Sequence, residues 1–309
     1  MLWLTVLIAV LADRLLGEPR RLHPLVGWAS YAQLIERCCN GGQRWQGVMA
    51  WLLAVAVPAG LVAVSFHFLR NYAPPYVYHL AAAALLYLAI GWQSLREHGL
   101  AVAQALQQNI AAARAAVARI VSRNTETMDE PAVLRGVLES LLENGADAIF
   151  AALFWFVVAG PVGVVVYRLA NTLDAMWGYR TARYQQFGWF SAKVDDVLNF
   201  IPARLTALSY MLLGKRRAAW RCWREQAPQC ASPNGGPVMC AGAGSLGVLL
   251  GGPTMYHGQW QEKPIMGCGA QPQAEDIARA IGLLDRTVYS WLIVLLVAVL
   301  SVGVVGHYA

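Results

Sequence analysis

Apolar residues are gathered in long runs rather than in short alternating stretches. Residues 47–69, 76–95 and 288–306 carry no formal charge, and each is about as long as the roughly 20 residues a helix needs to cross a bilayer. Residues 148–167 form a fourth run, interrupted at Gly160-Pro161-Val162-Gly163. Residues 1–12 form a fifth, shorter run, equivalent to about 18 Å of helix. It has no basic leader or cleavage site, so it does not read as a signal peptide. It can extend through Leu15-Leu16, with Asp13 and Arg14 inside the protein. Between the runs the pattern changes to helical spacing. Residues 96–108 are rich in Ala, Leu and Gln, and 111–122 repeat Ala, Val and Ile at helix period. Asp129-Glu130-Pro131 is a helix start, with acids at the N-terminus and Pro in the first turn. No strand-rich domain and no internal repeat is evident. The predicted class is therefore all-α: a polytopic integral membrane protein with re-entrant or broken helices. Residues 1–309 are expected to form one membrane-embedded domain, with cytosolic helical inserts at about 96–147 and 215–287.

Composition agrees with this reading. Hydrophobic residues make up 57% of the chain and charged residues only 14%, where soluble domains carry about a quarter charged. The formal charge is +6, and its placement bears on topology. Basic residues crowd 17–46 and 96–147, while the link 70–75 holds only Arg70, so the first two segments face the cytoplasm and the link faces outward. Residues 168–286 hold more than half of the 24 Lys and Arg residues and also belong inside. A single crossing at 148–167 would place them outside. Either that run turns back at its Gly-Pro-Val-Gly break, which is the preferred arrangement, or residues 197–214 cross a second time. Basic clusters such as Lys215-Arg216-Arg217 fit contact with anionic membrane lipid. No basic stripe carries a nucleic-acid motif, so nucleic acid is not an expected partner. The six cysteines form no C-x-x-C pair and read as free thiols.

The polar residues that bear on chemistry stand beside the apolar runs. Residues 171–208 mix Asp174, Arg180, Arg183, Asp195, Asp196 and Arg204 with Trp, Tyr and Phe, a costly arrangement at a bilayer surface that points to function. Asp195 and Asn199 share a helix face, and Asp195-Asp196 offers oxygen ligands suited to Mg²⁺. Glu139, Glu143 and Asp147 are spaced four apart, as a solvated acidic face, as ligands for Mg²⁺ or as partners for the arginines downstream. Guanidinium groups at 180, 183 and 204 suit phosphate or carboxylate. The Gly-rich segments 232–237 and 251–254 read as turns whose backbone N–H groups could hold anions. No Ser-His-Asp or Cys-His nucleophile pattern appears.

Taken in order, several blocks make this chain resemble the CobD/CbiB family of cobalamin biosynthesis. They are DRLLGEPRRLHPLVGW at 13–28, RIVSRNTETMDE at 119–130, ESLLENGADAIFAALFWF at 139–156 and the run beginning NTLDAMWGYR at 171. SPNGGP at 232–237, GVLLGGPTMYHG at 247–258, EKP at 262–264 and AEDIARAIGLLDR at 274–286 complete the set. Two departures are Asn124, where the family often has Asp, and Cys230-Ala231, where it often has a basic-His-Pro approach.

The resemblance implies a multi-pass enzyme of the bacterial inner membrane with its site on the cytoplasmic side. It would be a ligase using ATP and Mg²⁺ to join adenosylcobyric acid to (R)-1-amino-2-propanol O-phosphate, or the free amino alcohol, giving adenosylcobinamide phosphate. Mg²⁺ would sit on Asp195 and Asp196, with Asp174 or Glu143 and Asp147. Arg180, Arg183, Arg204 and Lys263 would hold phosphates. Asn171, Asn199 and Asn234 would orient the amine or corrin amides. Ser232, Gly251, Gly252 and Thr254 would bind through the two Gly-rich turns. A homo-oligomer, or association with other late enzymes of the pathway, is compatible with this picture. The alternative is a non-catalytic membrane sensor or scaffold of a related type linked to β-lactamase regulation, against which the intact SPNGGP and GGPTMYHG blocks argue. A transporter would need polar residues inside spans that are almost purely apolar.

Overall fold

The computed structural model describes residues 1–19, 23–256 and 259–308, without side chains at 254–261 and 302–308. It is helical apart from one hairpin. The helices are α1 (Leu2–Leu16), α2 (Pro24–Cys39), α3 (Arg44–Trp51), α4 (Val57–Tyr72), α5 (Pro75–Ala89), α6 (Trp92–Leu106) and α7 (Ile110–Val117). They continue as α8 (Glu130–Gly145), α9 (Ala151–Trp177), α10 (Trp189–Leu213), α11 (Arg216–Gln226), α12 (Gly235–Leu246) and α13 (Ala274–Tyr308). Single π-helical turns at Leu52–Ala56 and Ala146–Phe150 join α3 to α4 and α8 to α9. Four segments are long and apolar enough to cross a membrane: Arg44–Tyr72, Pro75–Leu106, Glu130–Trp177 and Ala274–Ser301. They overlap the four long apolar runs found in the sequence. The shorter first run is α1, and 197–214 lies in α10, outside those four.

The chain divides into two compact units. One comprises Met1–Gly91, Ala151–Asn199 and the chain from Leu295; the other comprises Trp92–Phe150 and Phe200–Val294. The first has a core in which Ile35 of α2, Ala50 of α3, Ala54 and Val55 meet Leu169, Leu173 and Trp177 of α9, closed by Phe187. The expected break in the fourth apolar run occurs at Gly160, whose φ of 63° and ψ of −153° are not helical. Pro161 follows, and a proline ring excludes the helical hydrogen bond that would have bridged this point.

In the second unit α8 is buried on almost every side, through Val133, Leu134, Val137, Leu138, Leu141 and Leu142. A helix that is apolar around its circumference requires neighbours on all faces. It obtains them from α6, α7, α12 and the first strand. Small residues in GGPVMCAGAGSL let α12 bury all twelve of its positions, close against α8 and α11.

The hairpin was not legible in the sequence. Strands β1 (Leu249–Tyr256) and β2 (Gln259–Gly267) pair antiparallel, and the segment 251–254, expected as a turn, lies within β1. The register runs Leu249↔Gly267 and Leu250↔Met266, then shifts to Gly252↔Lys263. This is a β-bulge, with φ of 77° at Gly251 and 80° at Gly252. A Cβ at Gly251 would overlap the carbonyl oxygen of Pro264, so the bulge admits only glycine there.

Candidate functional site

Each unit holds one cluster of the residues singled out by sequence. In the first, α9 and α10 run past each other and Asp195 links them. Asn171 Nδ2 donates to Asp195 Oδ1 at 3.1 Å, and Asn199 Nδ2 donates to Asp195 Oδ2 at 3.0 Å. The phenol of Tyr167 donates to Asn199 Oδ1 at 3.0 Å. Asn199 is 2% exposed and Tyr167 fully buried, so the amide is fixed and points its NH₂ at the acid. Burial pushes the Asp195 carboxyl above its ordinary range, partly offset by the two amides, which favour the charged form. Asp196 faces Lys193 at 3.3 Å. Asp174 lies one turn beyond Asn171 and folds over Gly178, whose N–H donates to the Asp174 carbonyl at 2.7 Å.

The arginines of this unit divide. Arg180 is exposed in the segment between α9 and α10. Arg183 is committed to Glu36 of α2 through Nε–Oε1 at 3.0 Å and Nη2–Oε2 at 3.1 Å, and Asn40 donates to the same acid at 2.9 Å. These bonds to Glu36 raise the Arg183 pKa. The Arg183 side chain remains 62% exposed while that of Glu36 is buried, so Arg183 still presents an open edge.

The second unit organises Glu139, Lys263, Arg204 and the SPNGGP segment. Glu139 is 3% exposed, not a solvated acid. It accepts from Arg123 at 2.8 Å, from Lys263 at 3.2 Å and from the backbone N–H of Gly251 at 3.0 Å. The β-bulge thus turns an amide that would otherwise serve the ladder toward a buried carboxylate. The regular row of acids is also interrupted, because the π turn after Gly145 carries Asp147 out of the i, i+4 spacing. Glu143 lies against the first turn of α12, within 2.5 Å of where a Gly235 side chain would begin.

Arg204 of α10 is held at three points. It donates to Asn234 Oδ1 at 3.0 Å, to the Pro233 carbonyl at 3.1 Å and to the Phe200 carbonyl at 2.8 Å, and it stacks on the Phe200 ring at 3.5 Å. Partial burial lowers its pKa, a guanidinium being charged throughout. Ser232 Oγ accepts from Gly235 N at 2.9 Å, which forms the turn that starts α12. Arg204 also borders a cavity of about 470 Å³ together with Trp223, Arg224, Cys230 and Pro237.

Three residues central to these clusters escaped sequence reasoning. Glu36 sits in an ordinary amphipathic helix, Tyr167 closes an apolar run, and Arg123 is one basic residue among several in 96–147. Nothing in their spacing distinguishes them. The side chain of Thr254, together with Arg20, Arg21 and His257, lies outside the described residues. Among the described residues no three His, Cys, Asp or Glu side chains gather as a metal-binding group.

The fold and these clusters define a helical membrane protein that carries buried acids dressed by amides, arginines and a glycine bulge. Comparison with known proteins sharpens that class. The family model described as CobD/Cbib protein matches residues 6–284, and the chain belongs to this family. It is 54% identical over 299 residues to the cobalamin biosynthesis protein CobD of Stutzerimonas stutzeri, covering 95% of this chain and 97% of that one. It is 50% identical over 308 residues to the protein of the same name from Chromobacterium violaceum, covering 96% and 97%. For the Mycobacterium tuberculosis protein, also of that name, identity is 37% over 299 residues and 94% of each chain. No solved structure matches the chain.

Proposed function

We propose that this protein is an ATP-dependent acid–amine ligase of the cytoplasmic membrane. It joins adenosylcobyric acid to (R)-1-amino-2-propanol O-phosphate, or to the free amino alcohol, and yields adenosylcobinamide phosphate. Membership of a cobalamin biosynthesis family supports the pathway. The observation that carries the reaction type is the Asp195 carboxylate, buried and held by two amides on helices that flank a charged, aromatic-rich segment.

The chemistry follows from what a carboxylate lacks. It is a poor acyl donor, so its oxygen must first take the γ-phosphoryl group of ATP, releasing ADP and leaving an acyl phosphate. The amine then attacks the acyl carbon, the C–O bond to phosphate breaks, and inorganic phosphate leaves. The substrate ammonium must lose one proton before attack and a second as the amide forms. Asp195, whose pKa burial raises, is suited to accept the first, and the departing phosphate takes the second. Asn171 and Asn199 hold the acid at a fixed angle, so little reorganisation accompanies transfer.

Mg²⁺, when bound, would neutralise phosphate charge. Mg²⁺ commonly takes only one or two protein carboxylates, with water and phosphate completing the shell. Asp196, with Asp174 of the same unit, fits that mode and leaves Asp195, whose two oxygens accept from Asn171 and Asn199, for the proton; Glu143 and Asp147 are the candidates in the second unit. Arg180 and the open edge of Arg183 are suited to phosphate, as are Arg204 and Lys263 in their own unit. Asn234 and Ser232 orient Arg204 and its turn, and the Gly251-Gly252 bulge holds Glu139 and through it Lys263.

The test is complementation of a strain blocked between cobyric acid and cobinamide phosphate. Asp195→Ala and Asp196→Ala should each abolish growth on cobyric acid while membrane insertion stays intact. Growth of both variants at the wild-type rate would remove these acids from the site.

A further inference from the structure

A second cavity of about 450 Å³ lies in the unit comprising Trp92–Phe150 and Phe200–Val294, and none of the acids named above lines it. It opens where α10 ends, α11 begins and α13 passes. Lys215, Arg279 and Arg286 line it with Gly214, Ser245 and Gly282, and none of its lining residues is acidic. Among the described residues, the acid paired with its cations is Asp276, which is buried and bonded to Arg279. Arg279 also donates to the Leu246 carbonyl, so its guanidinium is aimed by the fold. Gly282 stands between Arg279 and Arg286 on α13, and a Cβ there would touch nothing within 4 Å. Gly282 thus faces open space within the lining that Arg279 and Arg286 share.

The helix face that carries these cations continues into the bilayer. From Arg279 the spacing runs to Gly282, Arg286, Tyr289, Ile293, Val297 and Leu300, in steps of three or four that keep one face of α13. Tyr289 and Ile293, in the same unit as the cavity, are exposed at 52% and 62%. They lie in the segment Ala274–Ser301, one of the four able to cross a membrane. A cationic pocket at one end of an exposed apolar track has the chemistry of an amphiphile site: an anionic head beside long hydrocarbon tails. Basic residues at the end of a span otherwise only interact with the surface potential. A concave cavity with an aimed arginine and an open glycine offers a seat for one molecule.

We propose that Lys215, Arg279 and Arg286 form a site for the phosphodiester headgroup of an anionic phospholipid whose acyl chains start along Tyr289 and Ile293 of α13. The site is separate from the proposed ligase chemistry and does not depend on it.

Native mass spectrometry of the full-length protein in neutral detergent tests this, with palmitoyl-oleoyl phosphatidylglycerol and the matching phosphatidylcholine as probes. The wild type should retain one phosphatidylglycerol at least tenfold more tightly than phosphatidylcholine. Arg286→Gln and Lys215→Gln should each weaken phosphatidylglycerol about fivefold, and together about 25-fold, with phosphatidylcholine unchanged. Both residues are exposed and outside either core, so the variants should fold; an unchanged melting temperature checks this. Equal retention of the two lipids by the wild type would overturn the proposal. So would full phosphatidylglycerol affinity in the double variant. Displacement of phosphatidylglycerol by millimolar glycerol 3-phosphate would also overturn it, by assigning the pocket to a water-soluble phosphate.

Discussion

Glu139→Gln should be the most informative single change in the second unit. The carboxylate side chain is 4% exposed and that of its partner Arg123 6%, with Nη2–Oε2 at 2.8 Å. Neutralising the acid removes the buried charge that faces Arg123 and Lys263, and breaking a buried pair from one side costs about 3–5 kcal/mol. Lys263 contributes less to this loss, because its side chain is 29% exposed and can turn toward water. The glutamine oxygen can still accept from Gly251 N, so the bulge should survive. At roughly 2–4 °C per kcal/mol the melting temperature should fall by about 6–20 °C, read as tryptophan fluorescence during a thermal ramp in detergent. The fall should be the same at low and high salt, because a buried pair is little screened. Arg123→Met combined with Glu139→Met should cost less than the two single changes added together, because the pair is then removed as a unit. A fall below about 2 °C, or one that vanishes in high salt, would refute the assignment of Glu139 as a buried ionic hub.

Gly251→Ala should destabilise by more than about 2 kcal/mol, because left-handed backbone is disfavoured for alanine and its Cβ meets the Pro264 carbonyl; limited proteolysis should then cut at the hairpin. Asp195 has a raised folded-state pKa, so the folded chain binds more protons than the unfolded one between the ordinary carboxylate value and the raised one. Stability from this group therefore falls as pH rises through that window, and Asp195→Asn should become progressively more stable than wild type over the same range while losing ligase activity; parallel pH profiles of melting temperature would contradict this. Cys230 accepts a hydrogen bond from Cys240, with the sulfurs 3.9 Å apart, and this lowers the Cys230 pKa, whereas burial raises that of Cys222 to about 12. Maleimide should therefore label Cys230 well before Cys222 at pH 7, and Cys240→Ala should slow that labelling, as mass mapping of the peptides will report.

The four apolar runs were legible because spans are long and uncharged, and composition alone finds them. The break at Gly160 was legible too, since Pro161 cannot continue the helical bond pattern. The polar clusters were legible only in part. Asp195 and Asn199 share a face by simple spacing, and Asn171 joined them because it lay in the same charged run. The destination of Arg183 was not visible, because Glu36 lies 147 residues earlier in a helix with no other unusual feature. Glu139 was read as one of a row of acids because i, i+4 spacing assumes an unbroken helix. Its burial depends on Arg123 and on a hairpin whose strand carries Gly-Gly-Pro, a sequence that local propensity assigns to a turn. Long-range partners and backbone irregularities follow from tertiary packing, which single-chain periodicity does not encode.

Neither unit is a continuous stretch of polypeptide. The chain leaves the first after Gly91, returns at Ala151, leaves again after Asn199 and comes back at Leu295. A ribosome therefore delivers the opening helices of the first unit long before the piece of α13 that completes it. The second unit likewise waits for residues up to Val294. During synthesis both units remain unfinished until α13 emerges, and loop closure over such separations is slow. A stop codon ahead of Ala274 would thus remove the last element of both units at once, leaving no intact half for a chaperone to rescue.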